Sequence, residues 1–344
     1  MRKMLNVLYV TTPEAFLGKD GENLVVKVQD DEIFRTPIHY LEGIVTFGYM
    51  GASPALLGFC AEKGVSITFL TPYGKYLANV SGPIKGNVLL RRKQYRIADS
   101  ESDCTKLASR FIIGKVANCR VVLRRFMSDH GDKCNDVKDV EPVSKELAKS
   151  ILRLSMASSL EEIRGIEGEM ARYYFSVLDD LILYQKESFF MKERSRRPPL
   201  DNMNALLSFL YTLLVHETRS ALETVGLDSY VGFLHRDRPG RPGLALDLME
   251  EFRPYLVDRL AMTLINRRQI TGDDFITKES GGVIMKDKAR KTILEAWQKR
   301  KRDEITHPFL EQKITIGLLP YAQALLLSRY LRGDLDDYPP FVWK

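Results

Sequence analysis

The sequence predicts an α+β protein, in which a small β-sandwich-like amino-terminal domain precedes a larger all-helical domain. Apolar residues come in short runs bounded by turn residues up to about residue 80, as expected of strands. From Leu89 onward they recur three and four residues apart, as on one face of a helix. The length of 344 residues favours two domains, because single cores rarely grow beyond about 250 to 300 residues.

The amino-terminal strands are predicted from their turns. The segment 1–10 mimics a signal peptide, but Asn6 interrupts it and no small-residue cleavage site follows, so it is interpreted as a strand. Asp20-Gly21 predicts a hairpin, because both residues tolerate the positive φ of a type I′ turn. Ser53, Pro54 and Gly64 predict the cap, first turn and end of a short helix. Further strands are expected at 44–47, 65–70 and 75–80, the last two joined through Pro72-Tyr73-Gly74.

The rest of the chain is predicted to be helical. The helices are expected at 104–127, 143–157, 160–184, 204–224, 244–266 and 286–305, with a hairpin formed by 275–277 and 282–285. Pro83 marks the change of period. The expected domains are therefore a β domain at 1–82, a linker at 83–88, a helical domain at 89–332 and a tail at 333–344.

Composition excludes several classes of protein. Lys and Arg number 51 against 45 Asp and Glu, which gives a net charge of +6 that permits nucleic-acid binding without demonstrating it. The four cysteines form no Cys-x-x-Cys pair, so no zinc ribbon is predicted. No apolar run approaches the ~20 residues that cross a bilayer. We expect a cytoplasmic protein.

Three carboxylates and one imidazole crowd into a short stretch. Asp247, Glu250 and Glu251 lie three and four residues apart on the predicted helix, where like charges destabilise by a few tenths of a kcal/mol, about 0.2 to 0.5. His235 and a basic loop rich in Pro and Gly, at 236–243, precede them. Such a set favours Mg²⁺ or Mn²⁺. The simpler alternatives are a solvated acidic face, a packing histidine and an exposed loop.

Glu167 lies between two helical glycines, Gly165 and Gly168. Each glycine costs about 1 kcal/mol relative to alanine in a helix interior, which suggests close packing or the approach of another group. The pattern alone favours a surface glutamate beside two helix-packing contacts. The alternative is a carboxylate with room to reach a metal.

Basic residues form six clusters in the predicted helical domain. Most such runs are solvated faces, but this number exceeds what solubility needs, and clustered cations suit phosphate binding. The clusters are at 91–93, 124–125, 194–197, 267–268, 290–291 and 299–302.

Four motifs in order resemble the CRISPR-associated endonuclease and integrase family of spacer acquisition. The motifs are Gly165-Ile166-Glu167-Gly168, the segment 204–211, the pair 226–228 and 232–235, and the segment 246–254. The resemblance covers essentially the whole chain. The segment 232–242 resembles the type I-C branch in particular.

The resemblance implies a metal site and a reaction. The metal ligands would be Glu167, His235 and Glu250, with Asp247 as an accessory acidic residue and Asn204 nearby in an unassigned role. Many family members have Asp where this chain has Glu250. The implied reaction is Mg²⁺- or Mn²⁺-assisted attack of a DNA 3′-hydroxyl on a phosphodiester of the CRISPR repeat.

The resemblance also implies partners. The substrates would be double-stranded DNA, both protospacer and repeat. The β domain would form a homodimer, and two dimers would flank a small ferredoxin-like adaptation protein. We expect the DNA contacts at Arg236, Arg238, Arg241, Arg290, Lys291, Lys299 and Arg300.

Two other functions remain open at this point. One is a non-catalytic helical DNA-binding scaffold, and the other is a metal phosphohydrolase for small nucleotides, which would need only one basic cluster. The tail at 333–344 cannot continue a helix through Pro339 and Pro340. Either it is mobile, or its aromatic residues pack on this chain or anchor the partner protein, and the last is the expectation here.

Overall fold

The computed structural model describes residues 7–12, 14–41, 43–71, 76–80, 82, 88–130 and 140–343. It divides into two compact units. The first comprises Met1–Lys85 with Asp287–Arg302, and the second comprises Gly86–Lys286 with Asp303–Lys344. The predicted turn at Pro72-Tyr73-Gly74 and the boundary at Pro83 lie outside the described residues. The expected functional limits of the domains stay predictions.

The first unit contains two sheets. One has four strands in the order β1 (Val7–Val10), β5 (Gly43–Phe47), β6 (Ser66–Leu70) and β7 (Tyr76–Val80). The other is antiparallel, with β2 (Ala15–Asp20), β3 (Asn23–Val28) and β4 (Asp31–Pro37). Strands β1, β5 and β6 pair in parallel, whereas β7 is antiparallel. The hairpin predicted at Asp20-Gly21 joins β2 to β3, with Gly21 at a φ of 56°.

Helix α1 (Pro54–Lys63) closes the core of this unit. The Ser53 hydroxyl accepts a hydrogen bond from the Leu56 N–H, and Gly64 ends the helix at a φ of 75°, which confirms the predicted capping. One core takes apolar side chains from both sheets and α1, including Leu17, Ile44 and Leu56. The β-sandwich-like prediction is confirmed, although β4 was not anticipated.

The second unit is mainly helical, as predicted. In chain order its helices are α2 (Val88–Ala98), α3 (Glu101–His130), α4 (Val140–Met156), α5 (Leu160–Ser176), α6 (Asn202–Thr224), α7 (Gly243–Met249) and α8 (Arg259–Asn266). The predicted hairpin is present as β8 (Phe275–Thr277) and β9 (Val283–Met285). Ser159 and Asp201 cap α5 and α6, since their side chains accept backbone N–H groups of the first turn.

The chain then leaves and re-enters this unit. Helix α9 (Asp287–Arg302) is grouped with the first unit, which differs from its expected place in the helical domain. The helix also ends earlier than predicted, because Ile305 lies in β10 (Glu304–Thr306), which pairs with β11 (Lys313–Thr315). Helix α10 (Leu319–Arg332) follows and ends at Gly333, with a φ of 87°.

Two helix predictions were too long. Helix α5 ends at Ser176, well before residue 184. The helix expected over 244–266 is divided, because a π-helical segment, Arg253–Asp258, separates α7 from α8. Pro254 has no N–H to donate to the preceding turn, which explains why regular hydrogen bonding fails there.

The carboxy-terminal tail packs on its own unit. Tyr338 and Phe341 are fully buried, and Trp343 is nearly so. The expectation that these aromatic residues anchor a partner protein is therefore wrong. Burial of each side chain contributes roughly 1.5 to 3 kcal/mol, and the backbone is tied to interior side chains as described below.

His216 on α6 gives the fold a pH dependence. Burial, and then Arg219, lowers the pKa of His216 from 6.5 to about 4. Between pH 6.5 and pH 4, the unfolded chain therefore binds a proton at His216 that the folded chain does not bind. The contribution of His216 to stability is complete above pH 6.5 and is lost towards pH 4, by up to roughly 3 kcal/mol. Urea unfolding across this range should show the loss in the wild type and a smaller loss in His216→Gln. His39→Gln, at an exposed site, is the control and should leave the loss unchanged.

None of the helices in the described part of the chain has the length and hydropathy needed to cross a membrane.

Candidate active site

The three crowded carboxylates have three different environments. Asp247 on α7 and Glu250 and Glu251 in the following turn are 0%, 5% and 0% exposed. The alternative of a solvated acidic face is therefore wrong. Asp247 is directed at the loop that carries His235, Glu250 at cations from neighbouring elements, and Glu251 at the carboxy-terminal tail. Each of the three side chains therefore has its own partners, and burial raises the pKa of Glu251 to about 8.

Lys115 joins Glu167 to Glu250. Its ammonium donates to Glu167 Oε1 and lies 2.8 Å from Glu250 Oε2. The contact with Glu250 is close enough for an ion pair, yet Oε2 accepts no well-aligned hydrogen bond. Arg253, on the π-helical segment, pairs with the other oxygen of Glu250. Two carboxylates, one on α5 and one in the turn after α7, thus converge on one buried positive group.

The opposite charges of Glu250 and Lys115 each favour the ionised form of the other. Burial alone would raise the pKa of Glu250, but Arg253, Lys115 and then His235 lower it to about 2. Burial alone would lower the pKa of Lys115, but Glu250 and Glu167 raise it. The carboxylate of Glu250 is therefore ionised at neutral pH, and His235 lies within electrostatic range of it.

Asp247 holds the backbone of the loop that carries His235. Its carboxylate accepts the backbone N–H groups of Phe233, Leu234 and His235, at 2.6, 3.0 and 3.0 Å. It also lies 2.6 Å from His235 Nδ1. With Nδ1–H donated to Asp247, the lone pair of Nε2 is available to a ligand, as in metal-bound histidines. Asp247 therefore orients the His235 ring, and its role as an accessory acidic residue stays a prediction.

Two glycines allow this loop to approach α7. A Cβ on Gly232 would lie 2.7 Å from the Gly243 carbonyl carbon and 2.8 Å from Asp247 Oδ2. A Cβ on Gly243 would lie 2.7 Å from the carbonyl oxygen of Tyr230. Real Cβ contacts are longer, so glycine is required at both positions.

Asn204 anchors a second loop beside the site. The fully buried amide accepts hydrogen bonds from Arg194 Nη1 and the Ser195 N–H, and donates one to the Glu193 carbonyl. The anchored loop supplies Arg196 to a pocket that Lys115, Glu167, Arg253 and Asp258 also line. The role left open for Asn204 is therefore to hold this arginine loop.

The two arginine loops lie within electrostatic range of each other. Burial lowers the pKa of Arg241, and the positive charge of Arg238 lowers it further. Arg196 and Arg197, from the loop held by Asn204, act in the same direction. We call these four residues the arginine cluster. Arg236 differs, because its guanidinium pairs with Glu161.

The other expected DNA contacts lie on α9, in the first unit. Lys291 and Lys299 are exposed and Arg300 is half-buried, so their side chains can reach a ligand. Arg290 is 5% exposed and pairs with Asp287. The prediction that Arg290 contacts DNA is therefore wrong, since a phosphate cannot reach a buried guanidinium.

The residue types suit a divalent metal, although the three expected ligands do not meet at one point. Within the described residues, no three His, Cys, Asp or Glu side chains meet closely enough to hold an ion. Glu167 and Glu250 instead share the Lys115 ammonium, a cation lying between two carboxylates. Oxygen ligands with one imidazole suit Mg²⁺ or Mn²⁺. The Glu250 oxygen without a well-aligned donor is also consistent with a missing cation.

Comparison with known proteins identifies the family. A family model described as CRISPR associated protein Cas1 matches residues 8–299. The chain is 53% identical over 344 residues to CRISPR-associated endonuclease Cas1 1 of Chlorobaculum tepidum, with full coverage of both chains. The chain belongs to the Cas1 family. Similarity to CRISPR-associated endonuclease Cas1 2 of Rhodospirillum rubrum is 51% over 347 residues, again with full coverage.

Solved structures share the Cas1 fold at lower identity. A casposase bound to an integration product has a TM-score of 0.84 at 23% identity, with 98% of this chain and 94% of that chain covered. A Cas1 protein from Thermotoga maritima has a TM-score of 0.81 at 23% identity, with 95% and 97% covered. A Cas6-RT-Cas1–Cas2 complex has a TM-score of 0.83 at 23% identity over all of this chain and 36% of that one.

Sequence reasoning missed Lys115 and Arg253 in this Cas1 protein. Lys115 continues the buried stripe of Phe111, Ile112 and Cys119 on α3, and a lysine in an apolar stripe signals a buried ion pair. Arg253 follows Glu250 by three residues, the spacing of a helical pair. These two signals could have located both cations.

The preferred interpretation of the helical glycines was wrong. A Cβ on Gly165 or Gly168 would contact nothing within 4 Å, so neither glycine is a helix-packing contact. The Glu167 side chain is 30% exposed and paired, not free on the surface. The backbone of α5 next to Glu167 is open, which suits the approach of a substrate.

Proposed function

We propose that this Cas1 protein is a divalent-metal-dependent DNA endonuclease and integrase that inserts short DNA fragments into a CRISPR array. The observation that carries the proposal is the pairing of Glu167 and Glu250 around one cationic group, with His235 close by. In the described part of the chain, no carboxylate forms an ion pair with Arg196, Arg238 or Arg241. Unpaired arginines in the described residues, together with the carboxylates of Glu167 and Glu250, suit a metal and a phosphodiester.

The chain's own residues divide the work. Glu167 and Glu250 would hold the ion with His235, whose ring Asp247 orients. Bound Mg²⁺ or Mn²⁺ would lower the pKa of the attacking hydroxyl and neutralise charge on the phosphate. The arginine cluster would bind the phosphates on either side and hold the 3′-hydroxyl in line. Lys115 would leave the carboxylates or share them with the ion.

The similar solved structures support substrates and partners. One casposase is bound to an integration product, and one complex contains Cas2. We propose protospacer and repeat DNA as substrates, a homodimer, and a small ferredoxin-like partner. A CRISPR array is genomic DNA, so we propose that the protein acts in the cytoplasm. The I-C branch stays a prediction.

The proposed activity can be tested directly. Purified protein and its small partner should join a labelled duplex with 3′-hydroxyl ends to a repeat-bearing plasmid when Mn²⁺ is present. A duplex with 3′-dideoxy ends is the control, because it lacks the nucleophile. Binding without covalent product would favour the scaffold alternative. Hydrolysis of free nucleotides without joining would favour the phosphohydrolase.

We expect the arginine cluster to set the salt dependence of DNA binding. Each neutralised phosphate contributes a slope of about −0.9 in log K against log salt, so the double variant Arg196→Ala/Arg241→Ala should flatten the slope by nearly 2. Fluorescence anisotropy over a salt series measures this. Arg153→Ala is the matched control, because Arg153 is paired with Glu169, and its slope should stay that of the wild type. An unchanged slope in the double variant would show that these arginines are solvated and do not contact phosphates.

We expect the homodimer to use strand β4. It is an edge of the antiparallel sheet, and its Ile33 and Phe34 are 52% and 44% exposed. Ile33→Lys with Phe34→Lys should give monomers by light scattering, because buried charge at an interface is costly. Deleting residues 1–80 is a blunter test, since α9 would lose the unit it belongs to. Dimers that persist in the double variant would place the interface elsewhere.

A further inference from the structure

We propose that residues Tyr338 to Trp343, in the carboxy-terminal tail, position the two sides of the candidate active site. We call this segment the terminal brace. The inference rests on the proposed function, because the positioned residues, Glu250 and Lys115, belong to the proposed active site. Its structural basis is independent of any metal.

The brace holds Glu251 by both carboxylate oxygens. Tyr338 Oη donates to Oε1 at 2.8 Å, and the Phe341 N–H donates to Oε2 at 2.7 Å. Gln323 of α10 adds a third donor, 2.9 Å from Oε2. Glu251 is fully buried, so these donors fix its side chain without competition from water. The next residue back in the chain is Glu250.

The brace also holds α3. Asn118 Nδ2 donates to the carbonyl oxygens of Glu251 and Phe341, at 2.7 and 2.8 Å, and the Trp343 N–H donates to Asn118 Oδ1 at 2.8 Å. A Cβ on Gly114 would lie 3.0 Å from Glu251 Cγ and 3.1 Å from Pro340 Cβ. Helix α3 therefore contacts both the brace and Glu251 directly at Gly114 and Asn118.

These contacts lie next to the ion pair on both sides. Lys115 follows Gly114 directly and is less than one helical turn from Asn118, while Glu250 directly precedes Glu251. Neighbouring Cα atoms are only about 3.8 Å apart, so a shift of a held residue moves the adjacent one. Glu250 and Lys115 face each other across the site, and each is attached to a residue that the brace holds.

The aromatic rings make the brace rigid. Tyr338 packs edge-on against Phe111 of α3, with ring centroids 5.3 Å apart. Phe341 lies 5.8 Å from Phe252, and the guanidinium of Arg125 lies 3.9 Å from the centre of the Trp343 ring. Such contacts restrict the segment to one arrangement. Rigid support is what a catalytic carboxylate needs to keep its direction.

The competing explanation is that the brace only contributes to the core. A core contribution would lower the melting temperature without changing metal binding in the protein that remains folded. Positioning would alter metal binding and local opening near Glu250 at temperatures where the fold is intact. The experiment must therefore measure both.

The test compares a chain ending at Asp337 with Asn118→Ala and the wild type. Asp336→Ala is the control, because Asp336 is an exposed tail residue outside the brace. At a temperature where circular dichroism shows all four folded, we expect the truncation and Asn118→Ala to weaken Mn²⁺ binding at least tenfold by electron paramagnetic resonance. Asp336→Ala should bind as the wild type does. A synthetic peptide of residues 333–344 should restore binding to the truncated chain.

Hydrogen exchange separates this inference from the proposed function. Without metal, amides at 112–118 and 249–252 should exchange at least tenfold faster in the truncated chain, whereas those of β5 and β6 should not change. Should the wild type bind no Mn²⁺, the proposed function fails, yet the exchange pattern still tests positioning. Uniform acceleration throughout the second unit, or unchanged exchange at these segments, would overturn the brace. So would tight Mn²⁺ binding by the truncated chain.

Discussion

Glu167→Gln is expected to reduce metal-dependent strand transfer at least about 1000-fold, which corresponds to about 4 kcal/mol of transition-state stabilisation. Gln keeps the shape of the side chain but removes the negative charge that would hold a divalent ion. Glu167 is the cleanest of the three proposed ligands to change, because it is partly exposed and pairs only with Lys115 among the contacts described. Initial rates of joining a labelled 3′-hydroxyl duplex to repeat DNA give the measurement.

The same loss of activity is expected for Glu250→Gln and His235→Ala. Glu250 also balances Arg253 and Lys115, so its replacement should lower stability as well. Glu169→Gln is the matched control, because Glu169 lies on the same helix and pairs with Arg153 away from the site. DNA affinity should be retained in all four variants, since none changes the arginine cluster. Activity above one tenth of the wild-type rate in Glu167→Gln would show that Glu167 is not a metal ligand.

Lys115→Met is expected to destabilise the metal-free protein by roughly 3 to 5 kcal/mol, the usual cost of removing one member of a buried ion pair. Lys115 is 11% exposed, and without it the carboxylates of Glu167 and Glu250 lose the cation between them. Arg253 would still balance one oxygen of Glu250. The loss should appear in chemical denaturation carried out with a chelator present.

Divalent metal should reverse much of this loss. Mn²⁺ would supply the missing positive charge, so the increase in melting temperature on adding Mn²⁺ should be larger in Lys115→Met than in the wild type. Lys115→Arg keeps the charge and serves as the control, with a response close to the wild type. An equal response in all three proteins would show that Lys115 and the metal do not share the carboxylates.

Local signals in the sequence were sufficient for much of the fold. Ser53, Pro54 and Gly64 predicted α1 to the residue, and Asp20-Gly21 predicted the hairpin, because caps and turns depend on neighbours in the chain. The division of the long helix at Pro254 was also readable in principle, since proline removes a donor. Strand β4 was not, because its exposed residues lack the alternation of a half-buried strand.

The candidate site was predictable only in part. The resemblance supplied Glu167, His235 and Glu250, and the structure brings the two glutamates to one cation. The separate partners of Asp247, Glu250 and Glu251 depend on contacts between residues far apart in the chain, which spacing does not reveal. The tail was misinterpreted for the same reason, because the donors and acceptors that receive it lie on α3 and beside α7.

The contact between Gly232 and Gly243 brings together the two ends of the loop between them, so this loop can be exchanged as a unit. Its two ends meet at the backbone, so the chain between them leaves and returns at one fixed point. Asp247 holds the first residues of the loop, up to His235, independently of those that follow. Residues 236–242 can therefore be replaced by a segment of another length or charge without displacing the histidine. The phosphate contacts proposed for Arg238 and Arg241 would change with such a replacement, whereas the position of His235 would not.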